Sequence, residues 1–444
     1  MRGGAAPGDE PNLRTATYAT AVMLGLHGLC YMGISVPAVI APVVARDLGI
    51  EASLLGVLIA NNYLFIMLSG LSCGLLIARY GAMRVCQASA ALSGLGLLIG
   101  AVIGGGVFAS SQWWGVAIPG SALAMVFAAL LFVSIASLGF GMGLVNPVSS
   151  QVLFVATPSQ HRSMVFSIKQ MGSPIGTAVA GLVIPSLLLV TAWPVALVII
   201  SAPALLFVLL ARHMPGYMLR YEQGGGGAGG ARGAVAASRF RLGTFVEPVR
   251  IMWRALTMRE MALMSMLLAI NQMSVSAFLV TYLTLEVGHS LVTAGSLFAV
   301  TQLAGLVARI ALGLTAERVF SPRRQLGLLG VIGGASAMLL AMVDANWSYM
   351  ALASLCALFG ATSLAWNGVL LAEVARLAGP GQVGSATGGV QTFMSAGAIV
   401  GPLVFSGLVA ASGHYTMSFI VGAIPVLVMG TRMSLTRVPL ADTK

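Results

Sequence analysis

Lys169 and Arg309 are the residues of this sequence whose placement most directly suggests chemistry. Each is a positively charged residue inside a long apolar run that holds no acidic residue at a comparable depth. An ionised side chain at the centre of a membrane helix costs about 3 kcal/mol or more on insertion scales. A guanidinium donates two parallel hydrogen bonds and an ammonium is a point charge, and together they suit a carboxylate or a similar small anion. We therefore predict an anion-binding site at this pair.

The choice of lysine at position 169 supports this prediction. Lys169 and the terminal Lys444 are the two lysines of the chain, against 21 arginines. Because the chain uses arginine almost everywhere else, we expect a lysine here to be needed for its compact, adjustable charge. Two alternatives stay open. Lys169 can extend along its aliphatic stem to the cytoplasm, and Arg309 can have a structural role, donating to helix carbonyls.

Glycines accompany both cations at helical spacing. Gly172 and Gly176 share a helix face with Lys169, and Gly305 shares one with Arg309. Small residues at this spacing allow close contact between membrane helices. We expect these two stripes to mark the place where the two halves of the molecule meet.

Polar residues in other apolar runs extend the predicted site. His27 lies in the first run, with Tyr31 one turn later on the same face. A histidine that titrates near neutral pH can relay a proton, and a hydrogen-bonded core histidine is the alternative. Four amides and one indole are expected to line the substrate path, although such groups also join packed helices. They are Asn271, Gln272, Gln302, Gln391 and Trp366.

The segments that position these residues are predicted to be transmembrane helices. The 444-residue chain is 58% hydrophobic and 8% charged, with a mean hydropathy of +0.95, whereas soluble domains carry about 25% charged residues. Such a chain cannot cover a water-facing surface. In lipid the backbone must satisfy its own hydrogen bonds, so apolar runs of about 20 residues are expected to be helical. Twelve are predicted, at 17–40, 53–77, 85–107, 120–146, 163–189, 192–211, 260–285, 291–316, 325–343, 348–375, 384–411 and 416–432.

A polar stretch separates two sets of six helices. It combines a Gly/Ala-rich run with eight arginines, a composition typical of a flexible linker; a lipid-headgroup-binding segment is the alternative. The halves also repeat, since Gly139 pairs with Gly360 and Asn146 with Asn367 in one register. We predict an all-α integral membrane fold of two pseudo-symmetric six-helix bundles. The predicted domains are an N-terminal bundle at 1–211, a basic linker at 212–259 and a C-terminal bundle at 260–444.

The net charge of +11 is explained by membrane orientation. With the amino terminus in the cytoplasm, all 23 Lys and Arg residues except Arg46, Lys169 and Arg309 fall on the cytoplasmic side or in cytoplasmic loops. This asymmetry follows the positive-inside rule. It accounts for the basic charge of the chain, so we expect no nucleic-acid partner. We expect a multi-pass inner-membrane protein with both termini cytoplasmic, whose first apolar run acts as an uncleaved anchor.

A charged motif after the second helix resembles one of the major facilitator superfamily. The run GLLIARYGAMR, which starts at Gly74, follows the pattern G-x-L-x-D-R-x-G-x-x-R but has Ala78 where the family has an aspartate. Its counterpart GLTAERVFSPRR in the second half keeps the acid as Glu317. Glu373 is the expected partner of the neighbouring Arg318. The resemblance implies a gating latch at the cytoplasmic ends of the helices. The residues assigned to it are Gly74, Arg79, Gly81, Arg84, Gly313, Glu317 and Arg318.

The fifth segment, FSIKQMGSPIGTAVAG from Phe166, is similar to that of facilitators grouped with cyanate, nitrate and organic-anion carriers. The resemblance implies a monomeric secondary transporter that moves a small anion with protons by alternating access across a midplane site. A drug–proton efflux pump is one alternative, and a membrane enzyme or non-transporting sensor is another. The sequence holds no Ser-His-Asp, metal-ligand or P-loop pattern. We therefore predict no enzymatic activity, no cofactor and no metal.

Overall fold

The computed structural model describes residues 13–48, 54–114, 122–158, 161–211, 250–253, 255–315, 321–378 and 383–436. These residues form α-helices and no β-strand, which confirms the predicted all-α class. The long helices are α1 Leu13–Leu48, α2 Leu54–Tyr80, α3 Ala82–Trp114, α4 Ala122–Ala156, α5 Arg162–Gln170, α6 Gly172–Leu187, α7 Trp193–Ala211, α8 Leu256–Leu285, α9 Leu291–Thr315, α10 Pro322–Leu340, α11 Tyr349–Ser363, α12 Trp366–Leu377, α13 Val383–Ser412 and α14 Tyr415–Leu435.

Each of the twelve predicted segments coincides with one of these helices or with a consecutive pair. The fifth segment is the pair α5 and α6, interrupted at Met171, and the tenth is the pair α11 and α12, interrupted at Leu364 and Ala365. Within the described residues, nine helices are long and apolar enough to cross a membrane. The chain is therefore a multi-pass membrane protein, with two of its segments broken in the middle.

Local sequence explains where several helices begin and end. Gly81 separates α2 from α3 with a φ of 86°, a left-handed conformation that glycine adopts without strain, and its N–H donates to the Ile77 carbonyl at 2.8 Å. Ser321 precedes α10 and accepts a hydrogen bond from the Arg324 N–H, with Pro322 in the first turn. Ser348 caps α11 in the same way, through the Ala351 N–H.

The chain packs as two compact units. The first comprises Met1–Ile34, Leu64–Gly176 and Ala192–Arg239, and the second comprises Ser35–Tyr63, Thr177–Thr191 and Phe240–Lys444. The predicted domain limits at 211 and 260 remain a prediction. Most of the predicted linker, residues 212–249 and Arg254, lies outside the described residues.

Small residues bring the helices of the first unit together. A Cβ at Gly143 of α4 would collide with Ser69 and the Ile66 carbonyl of α2, and one at Gly104 of α3 would collide with Trp193 of α7. All four cysteines of the chain are buried and free, as expected of small packing residues.

The second unit has an aromatic cluster at one end and a charged cluster in another part. The Tyr282 hydroxyl donates to the Leu340 carbonyl at 2.7 Å, and its ring packs against Tyr415 and Phe419. In the charged cluster Arg323 donates to Glu260 at 2.9 Å and to two carbonyls at the end of α14. Because those terminal carbonyls have no helical partner, Arg323 joins the starts of α8 and α10 to the end of α14.

The glycine stripes beside the two cations pack within their own halves of the sequence. A Cβ at Gly172 or Gly176 would collide with α1 at Gly28, and one at Gly305 would collide with Leu364 and the Gly360 carbonyl. This corrects the expectation that the stripes mark the meeting of the two halves.

The fifth and eighth segments do meet, at a different pair of glycines. A Cβ at Gly295 of α9 would collide with the Gly181 carbonyl of α6. At about 100° per residue, position 181 lies roughly 140° around the helix from Gly176. The face of α6 that touches α9 is therefore not the face that carries Gly176.

We predict opposite effects for two glycine-to-alanine substitutions. Gly176→Ala places a methyl group against the Gly28 backbone, and overpacking of this kind costs about 1–3 kcal/mol. Gly25→Ala is the control, because nothing lies within 4 Å of its added Cβ and alanine favours helix by about 0.5–1 kcal/mol. Thermal unfolding in detergent measures both variants. Equal unfolding temperatures would contradict the close contact at Gly28.

Candidate functional site

Lys169 lies in the last turn of α5 and is 1% exposed. Its ammonium donates to the Asn146 side-chain oxygen at 2.8 Å, to the Ser150 hydroxyl at 3.0 Å and to the Asn146 carbonyl at 3.4 Å. All three acceptors are neutral. The alternative in which the amine extends to the cytoplasm requires an exposed side chain, and the structure instead encloses it between α4 and α5.

Two polar residues of α4 accept the hydrogen bonds of this ammonium. Asn146 and Ser150 are four residues apart and so share one helix face, and the Ser150 hydroxyl donates to the Asn146 carbonyl at 2.8 Å while it accepts from Lys169. Sequence reasoning recognised Asn146 as a repeated polar residue but did not include it or Ser150 in the site. The signal that could have identified both residues is the four-residue spacing of two polar side chains within an apolar helix.

No acidic residue lies near Lys169 in the sequence, since residues 52–221 include no Asp or Glu. Each of the five carboxylates that the structure describes has a partner elsewhere. These pairs are Asp47 with Arg46, Glu260 with Arg323, Glu286 with the Tyr415 N–H, Asp344 with the Asn346 N–H, and Glu373 with Arg376. A buried charge without a counter-charge is costly.

His27 and Tyr31 lie in the same unit as Lys169. Their rings stack with centroids 5.1 Å apart, and His27 is 1% exposed. Neither ring nitrogen of His27 has a hydrogen-bond partner among the described residues. A Cβ at Gly172 would lie 2.9 Å from the His27 Cβ, which places His27 one turn along from Lys169. The alternative of a hydrogen-bonded core histidine does not match this geometry.

Arg309 lies in α9 beside the break in the tenth segment. Its guanidinium donates to the Leu364 carbonyl at 2.8 Å. Leu364 and Ala365 separate α11 from α12, so this carbonyl is free of the regular helical ladder. The contact matches the structural role that sequence reasoning kept open for Arg309, and it does not test whether Arg309 also binds an anion.

The predicted polar residues of the second half fall into two groups. Asn271 donates to the Ser363 hydroxyl at 3.2 Å, and the Trp366 indole donates to Gln272 at 3.0 Å and to the Ser363 carbonyl at 2.9 Å. These residues therefore surround the break, which the sequence did not predict. Gln302 is buried in α9, and Gln391 is exposed on α13.

The structure describes some of the residues assigned to the gating motif. Arg79 and Arg84 are exposed on either side of Gly81, and the Arg79 guanidinium lies 5.3 Å from the centre of the Tyr80 ring. Gly74 and Gly313 lie within α2 and α9, whereas Glu317 and Arg318 lie outside the described residues. Buried Glu373, the expected partner of Arg318, pairs with Arg376 one turn later, at 2.6 Å.

The sequence is similar to that of known membrane transporters. The family model described as Major Facilitator Superfamily matches residues 23–402 and, in a second match, 261–443. An MFS-type transporter of Mycobacterium tuberculosis (strain CDC 1551 / Oshkosh) is 26% identical over 296 residues, which are 65% of this chain and 60% of the relative. Its counterpart in strain ATCC 25618 / H37Rv is 25% identical over the same length. The chain thus spans 60% of the length of these relatives.

Solved structures share the fold. A D-xylose–proton symporter matches with a TM-score of 0.69 at 17% identity, covering 97% of this chain and 99% of that one. A nucleoside transporter matches with a TM-score of 0.70 at 14% identity, covering 93% and 98%. At these identities the likeness concerns the fold alone.

We predict that the indole nitrogen of Trp366 stabilises the broken tenth segment. Trp366→Phe keeps the ring but removes a buried donor and leaves Gln272 and the Ser363 carbonyl short of a partner. Such a loss costs about 1–3 kcal/mol. Trp253→Phe is the matched control, because Trp253 is 49% exposed. Thermal unfolding should show a lower midpoint for Trp366→Phe, and equal midpoints would contradict the role of the indole at the break.

Proposed function

The chain belongs to the major facilitator superfamily, and from this premise we propose that it transports a small organic or inorganic anion together with protons. Membership makes it a membrane transporter and not an enzyme. The anion, the coupling to protons and the residues that bind them are our proposal. Transport is by alternating access, in which a substrate site is opened to each side of the membrane in turn.

The buried ammonium of Lys169 carries this proposal. It lies in a stretch of 170 residues, 52–221, that contains no acidic residue, and its described partners are neutral oxygens. Such a group attracts an anion and repels a cation. A substrate oxygen can replace the longest of the three hydrogen bonds, the one at 3.4 Å to the Asn146 carbonyl, while the other two keep the amine in place.

Arg309 is proposed to contribute a second positive charge to substrate binding. Its guanidinium donates to the Leu364 carbonyl and carries a positive charge that attracts an anion. A substrate anion would add to that contact or would draw Arg309 away from the carbonyl. Asn271 and Gln302, both buried, and the exposed Gln391 are the neutral groups proposed to orient the substrate.

His27 is proposed to carry the coupled proton. It is buried beside Tyr31, and its nitrogens have no partner among the described residues, so protonation would break no hydrogen bond described for it. We propose that the transporter lies in the inner membrane with both termini in the cytoplasm, as the distribution of Lys and Arg indicates, and that it acts as a monomer.

We predict that transport of an anion depends on both buried cations. Uptake of a labelled anion into vesicles should fall at least about tenfold in Lys169→Gln and in Arg309→Gln, since hydrogen bonds to charged groups contribute about 1.5–3 kcal/mol. Arg46→Gln is the control, because that side chain is 77% exposed. Wild-type rates in both buried variants would contradict the proposal, and uptake of uncharged or cationic drugs by all variants would favour an efflux pump.

We also predict that His27 links transport to the proton gradient. In wild-type vesicles an inward proton gradient should accelerate anion uptake, and a protonophore should abolish that acceleration. In His27→Gln, which keeps a polar group but cannot take up a proton in this pH range, uptake should continue without responding to the gradient. A full response in His27→Gln would show that the proton is carried elsewhere.

A further inference from the structure

One cluster in the first unit has features that narrow the class of anion. It contains Lys169, its partners Asn146 and Ser150 on α4, the Phe166 ring on α5, and the stacked pair His27 and Tyr31 on α1. We propose that this cluster binds monocarboxylates that have an apolar or aromatic body. The inference rests on the proposed function and specifies the substrate class for the same site.

The position of Asn146 shows how a ligand reaches the cluster. Its side chain is exposed although it lies within the apolar helix α4, ten residues before that helix ends, whereas Lys169, which donates to it, is buried. A polar residue at this depth faces a water-filled cavity in preference to lipid. A carboxylate that enters beside Asn146 reaches the ammonium, whose bond to the Asn146 carbonyl is the longest of its three.

The His27 ring offers the second hydrogen bond that a carboxylate needs. A carboxylate has two oxygens, and a single ammonium engages one of them well. His27 is 1% exposed, both its nitrogens lack partners among the described residues, and it is near enough to Lys169 for the two side chains to interact electrostatically. An imidazole N–H that donates to the other oxygen would satisfy a buried polar group that otherwise has no partner.

The charges of the cluster favour one negative charge on the ligand. Lys169 is the one side chain of the six that is a cation while His27 is neutral, so a dianion bound in this cluster without Arg309 would bring in an unbalanced charge. Residues 52–221 contain no acidic residue, so this stretch has no carboxylate that could bind an ammonium group of a ligand. Amino acids, peptides and cationic drugs, which carry a positive group, therefore fit this cluster poorly.

The rings around the ammonium favour a carbon body over a bare inorganic anion. Phe166 lies with its ring centre 5.7 Å from the Lys169 nitrogen, and Tyr31 stacks on His27 with 5.1 Å between centroids. Both Phe166 and Tyr31 are half-buried, so each presents part of an aromatic surface. Aromatic and apolar groups gain free energy by covering such surface, which nitrate or cyanate does not do.

Binding to the purified full chain tests the proposal with four probes: benzoate, phthalate, nitrate and benzylammonium. The measurement is the rise in thermal unfolding temperature with probe concentration, since a ligand stabilises the state that it binds. We expect benzoate to stabilise the protein at a concentration at least about tenfold lower than nitrate or phthalate, and benzylammonium to have no effect. Lys169→Gln should abolish the benzoate shift.

The outcomes separate the substrate class from the proposed function. Tighter binding of phthalate or nitrate than of benzoate would overturn the monocarboxylate class and leave anion transport standing. Stabilisation by benzylammonium alone would overturn both. No shift with any probe would overturn the monocarboxylate class, and the dependence of anion uptake on Lys169 would then decide the proposed function separately.

A His27 variant tests the second hydrogen bond. His27→Phe keeps the ring stack on Tyr31 but removes both nitrogens, and it should weaken benzoate binding about tenfold, measured as the shift from the variant's own unfolding temperature without probe. His414→Phe is the control, because the His414 side chain is 76% exposed. Unchanged benzoate affinity in His27→Phe would remove His27 from the site.

Discussion

A buried ammonium among neutral oxygens is the interaction on which this account depends. Lys169 is enclosed by α4 and α5, and Asn146 and Ser150 accept its hydrogen bonds. Hydrogen bonds to neutral oxygens orient a charge without neutralising it, so part of the cost of burying it remains. In the proposed function this remaining cost favours substrate binding, because an anion that arrives from solution would lower it.

Two local features of the helices position the residues of the predicted site, one in each unit. Glycines at Gly172 and Gly176 allow the fifth segment to touch the backbone of α1 near Gly28, which brings His27 to within a turn of Lys169. The tenth segment is interrupted after Ser363, and the freed carbonyls accept from Arg309 and Trp366. Broken membrane helices are stable where their free backbone groups are satisfied by side chains, and here two residues from the predicted site satisfy them.

The sequence was sufficient for the fold and for the buried cation, and insufficient for the contacts between helices. Hydropathy and length located all twelve segments because lipid imposes one requirement on every spanning helix. Lys169 was recognisable because a charge inside such a segment is rare. The partners of the glycine stripes were assigned wrongly, since spacing along one helix identifies a face but not the helix that packs on it. The break at Leu364 and Ala365 depends on tertiary contacts that no local pattern encodes, whereas the pairing of Glu373 with Arg376 is a local contact between residues three apart on one helix.

An experimental structure with a heavy-atom analogue of the substrate would test the central claim most directly. Crystals or single particles prepared with bromobenzoate can be examined for the anomalous or difference density of the ligand around α4 and α5. The account predicts a carboxylate within hydrogen-bonding distance of the Lys169 nitrogen, in place of the Asn146 carbonyl. A protein carboxylate paired with Lys169, with no ligand bound there, would contradict it.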